Sequence, residues 1–247
     1  MTNAYQALYY PESQVGGFTD VDGTIAFYTR VDALLQPEFA MLDYGCGRGA
    51  HQEDPVAARR RLRILQGRVA RVCGVDVDPD ARANPFLDDF RLLTPNQAAP
   101  YPDRSFDLLL ADCVVEHLDQ PAQFFADAHR LLKPGGYLAV RTTNLISYVG
   151  AISALVPNRW HDRILARARP DRESCDSFPT RYQANTLWKL RRLLSASGFE
   201  ATVYGHESEP QYLGFSGFTY ALGVLHQRLS PSCLRPTLFG FGRKPRS

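Results

Sequence analysis

Glycine stands at every second position of Gly45-Cys46-Gly47-Arg48-Gly49, directly after the short apolar run Phe39 to Leu42. Such a run reads as a buried strand. The glycines behind it allow positive φ angles and let a ligand approach bare backbone. The N–H groups of the loop and the start of the next helix then offer a place for an anionic group. A strand, a bare turn and a helix in that order point to an α/β unit, with either a nucleotide-type ligand at the turn or a tight strand-to-helix turn that binds nothing.

The loop by itself fits two chemistries. Gly45-x-Gly47-x-x-Ala50 satisfies the fingerprint of dinucleotide-binding folds, in which an acid about 20 residues further on holds the ribose. Here the next acid-tipped strand is Arg71-Val72-Cys73-Gly74-Val75-Asp76, and a helix over roughly Pro55 to Gln66 sets Asp76 further away. A carboxylate at that tip accepts two hydrogen bonds at once, which suits a pair of ribose hydroxyls. Two further segments follow in order, Phe106-Asp107-Leu108-Leu109-Leu110-Ala111-Asp112-Cys113-Val114-Val115-Glu116-His117-Leu118 and Leu132-Lys133-Pro134-Gly135-Gly136-Tyr137-Leu138-Ala139-Val140. Leu108 to Ala111 is a continuous apolar run, as in a parallel strand covered on both faces. Pro134-Gly135-Gly136 is expected to stop a helix and turn the chain into another strand.

In that order the motifs, with Asp43 ahead of the glycines, resemble the class I S-adenosylmethionine-dependent methyltransferases, in the group that includes ubiquinone-biosynthesis enzymes. The resemblance covers about Phe39 to Asn144. It implies a doubly wound, mostly parallel seven-stranded α/β sheet with a helical cap insertion, all in one domain. Residues 1–37 would be an N-terminal arm and helix, 38–144 the cofactor-binding core, 145–184 the cap, and 185–247 the rest of the sheet. Within it a helix is expected over Ala26 to Gln36, another over Asn185 to Ser197, and a last antiparallel strand, Leu238 to Arg243, at the sheet edge.

The resemblance also implies S-adenosylmethionine as cofactor, held by Asp43, Gly45, Cys46, Gly47, Gly49, Asp76, Val77 and Asp112. Tyr28 and Arg30 are the candidates for its carboxylate, since arginine presents a planar fork to that group. Related enzymes place an acid near the adenine amino group, and Thr94-Pro95-Asn96-Gln97 has none; Asn96 is the candidate there, with Asp88 or Asp89 as substitutes. For an acceptor hydroxyl a general base is useful and histidine the usual provider. His117 after the fourth strand and His161 in the cap are the candidates, with Glu116 to orient either. No catalytic metal is expected, because Arg141-Thr142-Thr143-Asn144 lacks the acid that a divalent ion would want beside Asp112.

Composition sets bounds. A chain of 247 residues with 45% hydrophobic content can bury one sizeable core. A net charge of +2 gives no reason to invoke nucleic acid. No apolar run reaches the length of a membrane-spanning helix. Five cysteines without framework spacing suit a reducing cytoplasm. The expected function is methyl transfer to a small-molecule or glycan-like acceptor at oxygen. A regulatory module that binds the same cofactor without chemistry, or an NAD(P)-dependent oxidoreductase, are the alternatives. The acceptor and the oligomeric state have no signature in the chain.

Overall fold

The computed structural model describes residues 4–150 and 179–246. Seven strands form one sheet: β1 Ala40–Tyr44, β2 Arg71–Asp76, β3 Asp89–Leu92, β4 Phe106–Asp112, β5 Leu132–Thr143, β6 Glu200–His206 and β7 Thr237–Arg243. Their order is β3-β2-β1-β4-β5-β7-β6. All neighbours are parallel except β7, which runs antiparallel to both β5 and β6. The helices are α1 Ala4–Tyr9, α2 Gly23–Asp32, α3 Ala57–Arg63, α4 Pro121–Leu131, α5 Leu187–Ala196 and α6 Gly217–Leu229.

The centre of the sheet follows from β4. Its residues 108–111 are all buried, and successive side chains leave a strand on opposite faces. Leu109 and Ala111 pack with Leu42, Phe125, Leu190 and Leu194 beneath α4 and α5. Leu108 and Leu110 pack with Phe27, Val31, Met41 and Phe239 beneath α2. Each face of the sheet is thereby covered by helices, as a parallel sheet requires.

Several elements depart from the expected bounds. Helix α2 begins at Gly23 because Asp22 caps it, accepting from the Thr24 and Ile25 N–H groups at 2.9 Å each. Helix α3 is shorter than Pro55 to Gln66, and Ala50–Glu53 forms a separate 3-10 turn. Strand β5 begins at Leu132 directly after α4, so Pro134 and Gly135 kink the strand where a helix stop was expected.

The last strand is also corrected. β7 lies between β5 and β6, and β6 is the edge. The sequences explain the exchange: Leu238, Phe239 and Gly240 are buried in succession, whereas β6 exposes Glu200 and Thr202. The polar strand takes the edge, where one face meets water.

Phe239 joins β7 to α2. Its ring lies 5.2 Å from Phe27 and 5.6 Å from Tyr204, and stacks on His206 at 4.9 Å. Phe239→Ala should lower stability by about 3–5 kcal/mol, read by urea denaturation. A loss under about 1 kcal/mol would show that the site can collapse and that α2 does not depend on it.

Candidate functional site

The carboxyl ends of β1, β2, β4 and β5 point the same way, which brings Gly45 to Gly49, Asp76 and Asp112 to one edge. Open parallel sheets bind ligands at that edge. Gly45 has φ +71°, and a Cβ there would lie 2.5 Å from Val114 Cγ2, so the turn accepts no side chain. Gly47 has φ +56°, and a Cβ there would meet nothing within 4 Å. Its backbone faces open space.

Asp76 is buried at the tip of β2 and is held from two sides. Its Oδ2 accepts from Gly47 N–H and its Oδ1 from Asp78 N–H, each at 2.9 Å. Asn84 clamps the loop from behind, with Nδ2 donating to the Cys46 and Gly47 carbonyls at 3.1 Å. The Cys46 side chain is buried and burial pushes its thiol pKa up, so it acts as a small packing group.

Beside the loop sits a compact group of charges. Arg141 on β5 pairs across the ladder with Asp112 on β4. Its Nε donates to Oδ1 and its terminal nitrogen to Oδ2, both at 2.6 Å. Tyr28 O–H donates to Oδ2 at 2.9 Å, and the other terminal nitrogen of Arg141 donates to Thr24 Oγ1. Burial alone would raise the Asp112 pKa, but the Arg141 guanidinium outweighs it and holds the carboxyl at about 2. Asp43 shifts the other way. Burial, then the charge of Asp112, pushes its pKa up to about 7.

Arg63, at the end of α3, lies against Tyr28, its guanidinium carbon 5.8 Å from the ring centroid. His51 packs on Phe86 at 4.8 Å, and burial followed by the Arg63 charge lowers its pKa to about 4. Two atoms here, Arg63 Nε and His51 Nε2, are buried without a hydrogen-bond partner among the described residues.

The structure therefore brings Asp43, Gly45, Cys46, Gly47, Gly49, Asp76, Asp112 and Tyr28 together. Val77, at 38% exposure, stands just beyond the tip of β2. Other candidates fall elsewhere. Arg30 is exposed and lies by Tyr204 of β6, away from Asp112, because its place on α2 faces the far strands. The Tyr28 hydroxyl donates to Asp112 and so anchors that acid. Asp112 in turn has protein partners on both oxygens. Asn96 sits in an exposed turn at φ +59°, where Gln123 donates to its carbonyl.

Glu116 is buried, accepts from Thr142 Oγ1 at 2.6 Å, and has its pKa raised by burial. Thr142 also accepts from Asn185 Nδ2 at 2.8 Å, so Glu116 belongs to a network joining the turn after β4, strand β5 and the segment just before α5. His117 Nδ1 lies 3.2 Å from the Pro179 carbonyl oxygen. His161 lies outside the described residues, as does most of the expected cap. Among the described residues no cluster of His, Cys, Asp and Glu is arranged to hold a metal ion.

Sequence reasoning missed Asn84, Arg63, His51 and the pairing role of Arg141. For Asn84 the signal was Asn-Pro, a turn pair whose amide can reach backbone two residues on. Arg141 stood in plain view at a strand end, but only the register shows which acid it meets.

Comparison with known proteins agrees with this geometry. The family model described as a methyltransferase domain matches residues 42–140. A ubiquinone biosynthesis O-methyltransferase of Pseudomonas aeruginosa is 30% identical over 138 residues, covering 49% of this chain and 55% of that protein. A demethylmenaquinone methyltransferase of Tropheryma whipplei is 33% identical over 106 residues, covering 40% of each. The match thus spans about half the length, or less, of these curated relatives. Among solved structures, a SAM-dependent methyltransferase from Archaeoglobus fulgidus superposes with a TM-score of 0.56 at 17% identity, covering 97% of this chain and 100% of that one. That likeness shows the fold.

Asp43 gives this site a pH signature. Between about pH 4 and about pH 7 the folded chain retains a proton on Asp43 that the unfolded chain has released. Its contribution to stability therefore falls as pH rises through that window. His51, held neutral, works in the opposite sense below about pH 6.5, so the informative comparison is Asp43→Asn against the parent. The stability of the variant relative to the parent should increase steadily from pH 5 to about pH 8, measured by urea denaturation at each pH. A constant difference would contradict the raised pKa.

Proposed function

We propose that this chain, whose residues 42–140 form a methyltransferase domain of the class I S-adenosylmethionine-dependent type, transfers a methyl group to a hydroxyl of a small-molecule or glycan-precursor acceptor. The observation that carries this reading is Asp76. It is a buried carboxylate fixed by backbone on two sides, at the tip of the strand beside the glycine loop.

The residues suit the cofactor. A carboxylate has about four lone-pair positions, so Asp76 can take two ribose hydroxyls in addition to its two backbone donors. Gly47 leaves its backbone bare toward open space. The orphaned Nε of Arg63 and Nε2 of His51 mark a place for an acceptor of hydrogen bonds. Val77 would cover the adenine ring and Asn96 would reach its amino group. When bound, the cofactor supplies an electrophilic methyl on a sulfonium centre, and the protein supplies orientation and proton removal.

In this reading Asp112, with Arg141 and Tyr28, forms a fixed wall of the methyl-transfer space. Proton acceptance falls to His117 or to His161. With Nδ1–H donated to the Pro179 carbonyl, the basic lone pair of His117 is on Nε2. Glu116, next in sequence, would orient the histidine or the acceptor. Oxygen as the acceptor atom is supported by the O-methyltransferases among the relatives. The net charge of +2 favours a small-molecule acceptor over nucleic acid. A cytoplasmic location belongs to the same proposal.

Asp76→Ala should weaken S-adenosylhomocysteine by about 100-fold or more in titration calorimetry, the equivalent of two hydrogen bonds to a charged group. Unchanged affinity would remove the ribose assignment. Label from methyl-tritiated cofactor should pass to cell-extract metabolites with the parent; binding without transfer would leave a regulatory module.

A further inference from the structure

We infer that Arg63 and His51 together bind the carboxylate at the amino-acid end of the cofactor, in place of Tyr28 and Arg30; this rests on the cofactor reading above. The argument begins with what the two expected residues are doing. The Tyr28 hydroxyl is committed to Asp112, and Arg30 is exposed beside Tyr204. Neither is available at the loop.

Arg63 and His51 are placed differently. Both follow the glycine loop in the chain, Arg63 as the last residue of α3 and His51 in the 3-10 turn Ala50–Glu53. Each carries one buried ring or guanidinium nitrogen with no partner among the described residues. A buried N–H left without an acceptor is unfavourable and calls for one. Arg63 offers a planar fork that grips a carboxylate on two nitrogens. His51 is a neutral ring, and as the Nε2–H tautomer it donates without adding charge.

The charge count points the same way. Arg63 and Arg141 bring two positive charges. Asp112 brings one negative charge, and Asp43 is largely protonated below neutral pH. Asp112 is satisfied by Arg141 and Tyr28, and among the described residues Arg63 forms no ion pair with a carboxylate. A ligand carboxylate on Arg63 completes the set.

The probe is the cofactor without its carboxylate. Titration calorimetry of the full chain with S-adenosylmethionine and with decarboxylated S-adenosylmethionine should show the parent preferring the former by about tenfold or more. Arg63→Met should lose that preference by weakening S-adenosylmethionine while leaving the decarboxylated compound within about twofold. Arg63→Lys, which keeps the charge and lacks the fork, should retain part of the preference, and His51→Gln should reduce it by a smaller factor. Equal weakening of both ligands by Arg63→Met, or an intact preference, would overturn the assignment. A parent that binds neither ligand would overturn the cofactor reading itself, and a parent that binds both equally would overturn this inference alone.

Discussion

The pairing of Asp112 with Arg141 across one rung of the β4–β5 ladder organises everything at the carboxyl edge of this sheet. A buried carboxylate without a partner would take up a proton or disrupt the fold, and two short hydrogen bonds to a guanidinium prevent that. The pair then fixes its surroundings. Tyr28 is drawn to the same carboxylate and Thr24 to the same guanidinium, so α2 is tied down over the strand ends. Burial first, and then the charge on Asp112, discourage ionisation of Asp43, the next acid along the edge. One ion pair thus ties down a helix and adds to the effect of burial on a neighbouring acid.

Around that pair the backbone supplies a surface that side chains alone could not. Gly47 gives its N–H to Asp76 and presents an open face, while Asn84 ties the loop carbonyls from behind. The loop is held by bonds that do not need a ligand, which favours a preformed cradle over one assembled on binding. The far side of the edge is built on packing, with Phe239 joining β7 to α2 and to His206. Position and chemistry are separately supported, by hydrophobic contacts below and charge compensation above.

Much of this was legible in the chain. The glycine loop, the acid at the tip of β2 and the continuous apolar run of β4 are local signals, each carried by consecutive residues, and the parallel core follows from their order. What escaped were features created by distant residues meeting. That Arg141 meets Asp112 depends on strand register, and that Arg63 lies against Tyr28 depends on where a shortened α3 ends. The start of α2 was misplaced because Asp22, which caps it, sits in a stretch rich in glycine that reads as loop. The place of β7 was misread because edge and interior strands differ in how many faces are buried, a property that emerges only once the sheet is assembled.

The most direct measurement is the difference density of a crystal of this chain grown with S-adenosylhomocysteine. The ribose oxygens should lie at about 2.7–3.0 Å from Asp76, with the amino-acid end along Gly45 to Gly49 and its carboxylate toward Arg63. Density for the ligand away from Asp76, or its absence at saturating concentration, would contradict the assignment of this edge as the cofactor site.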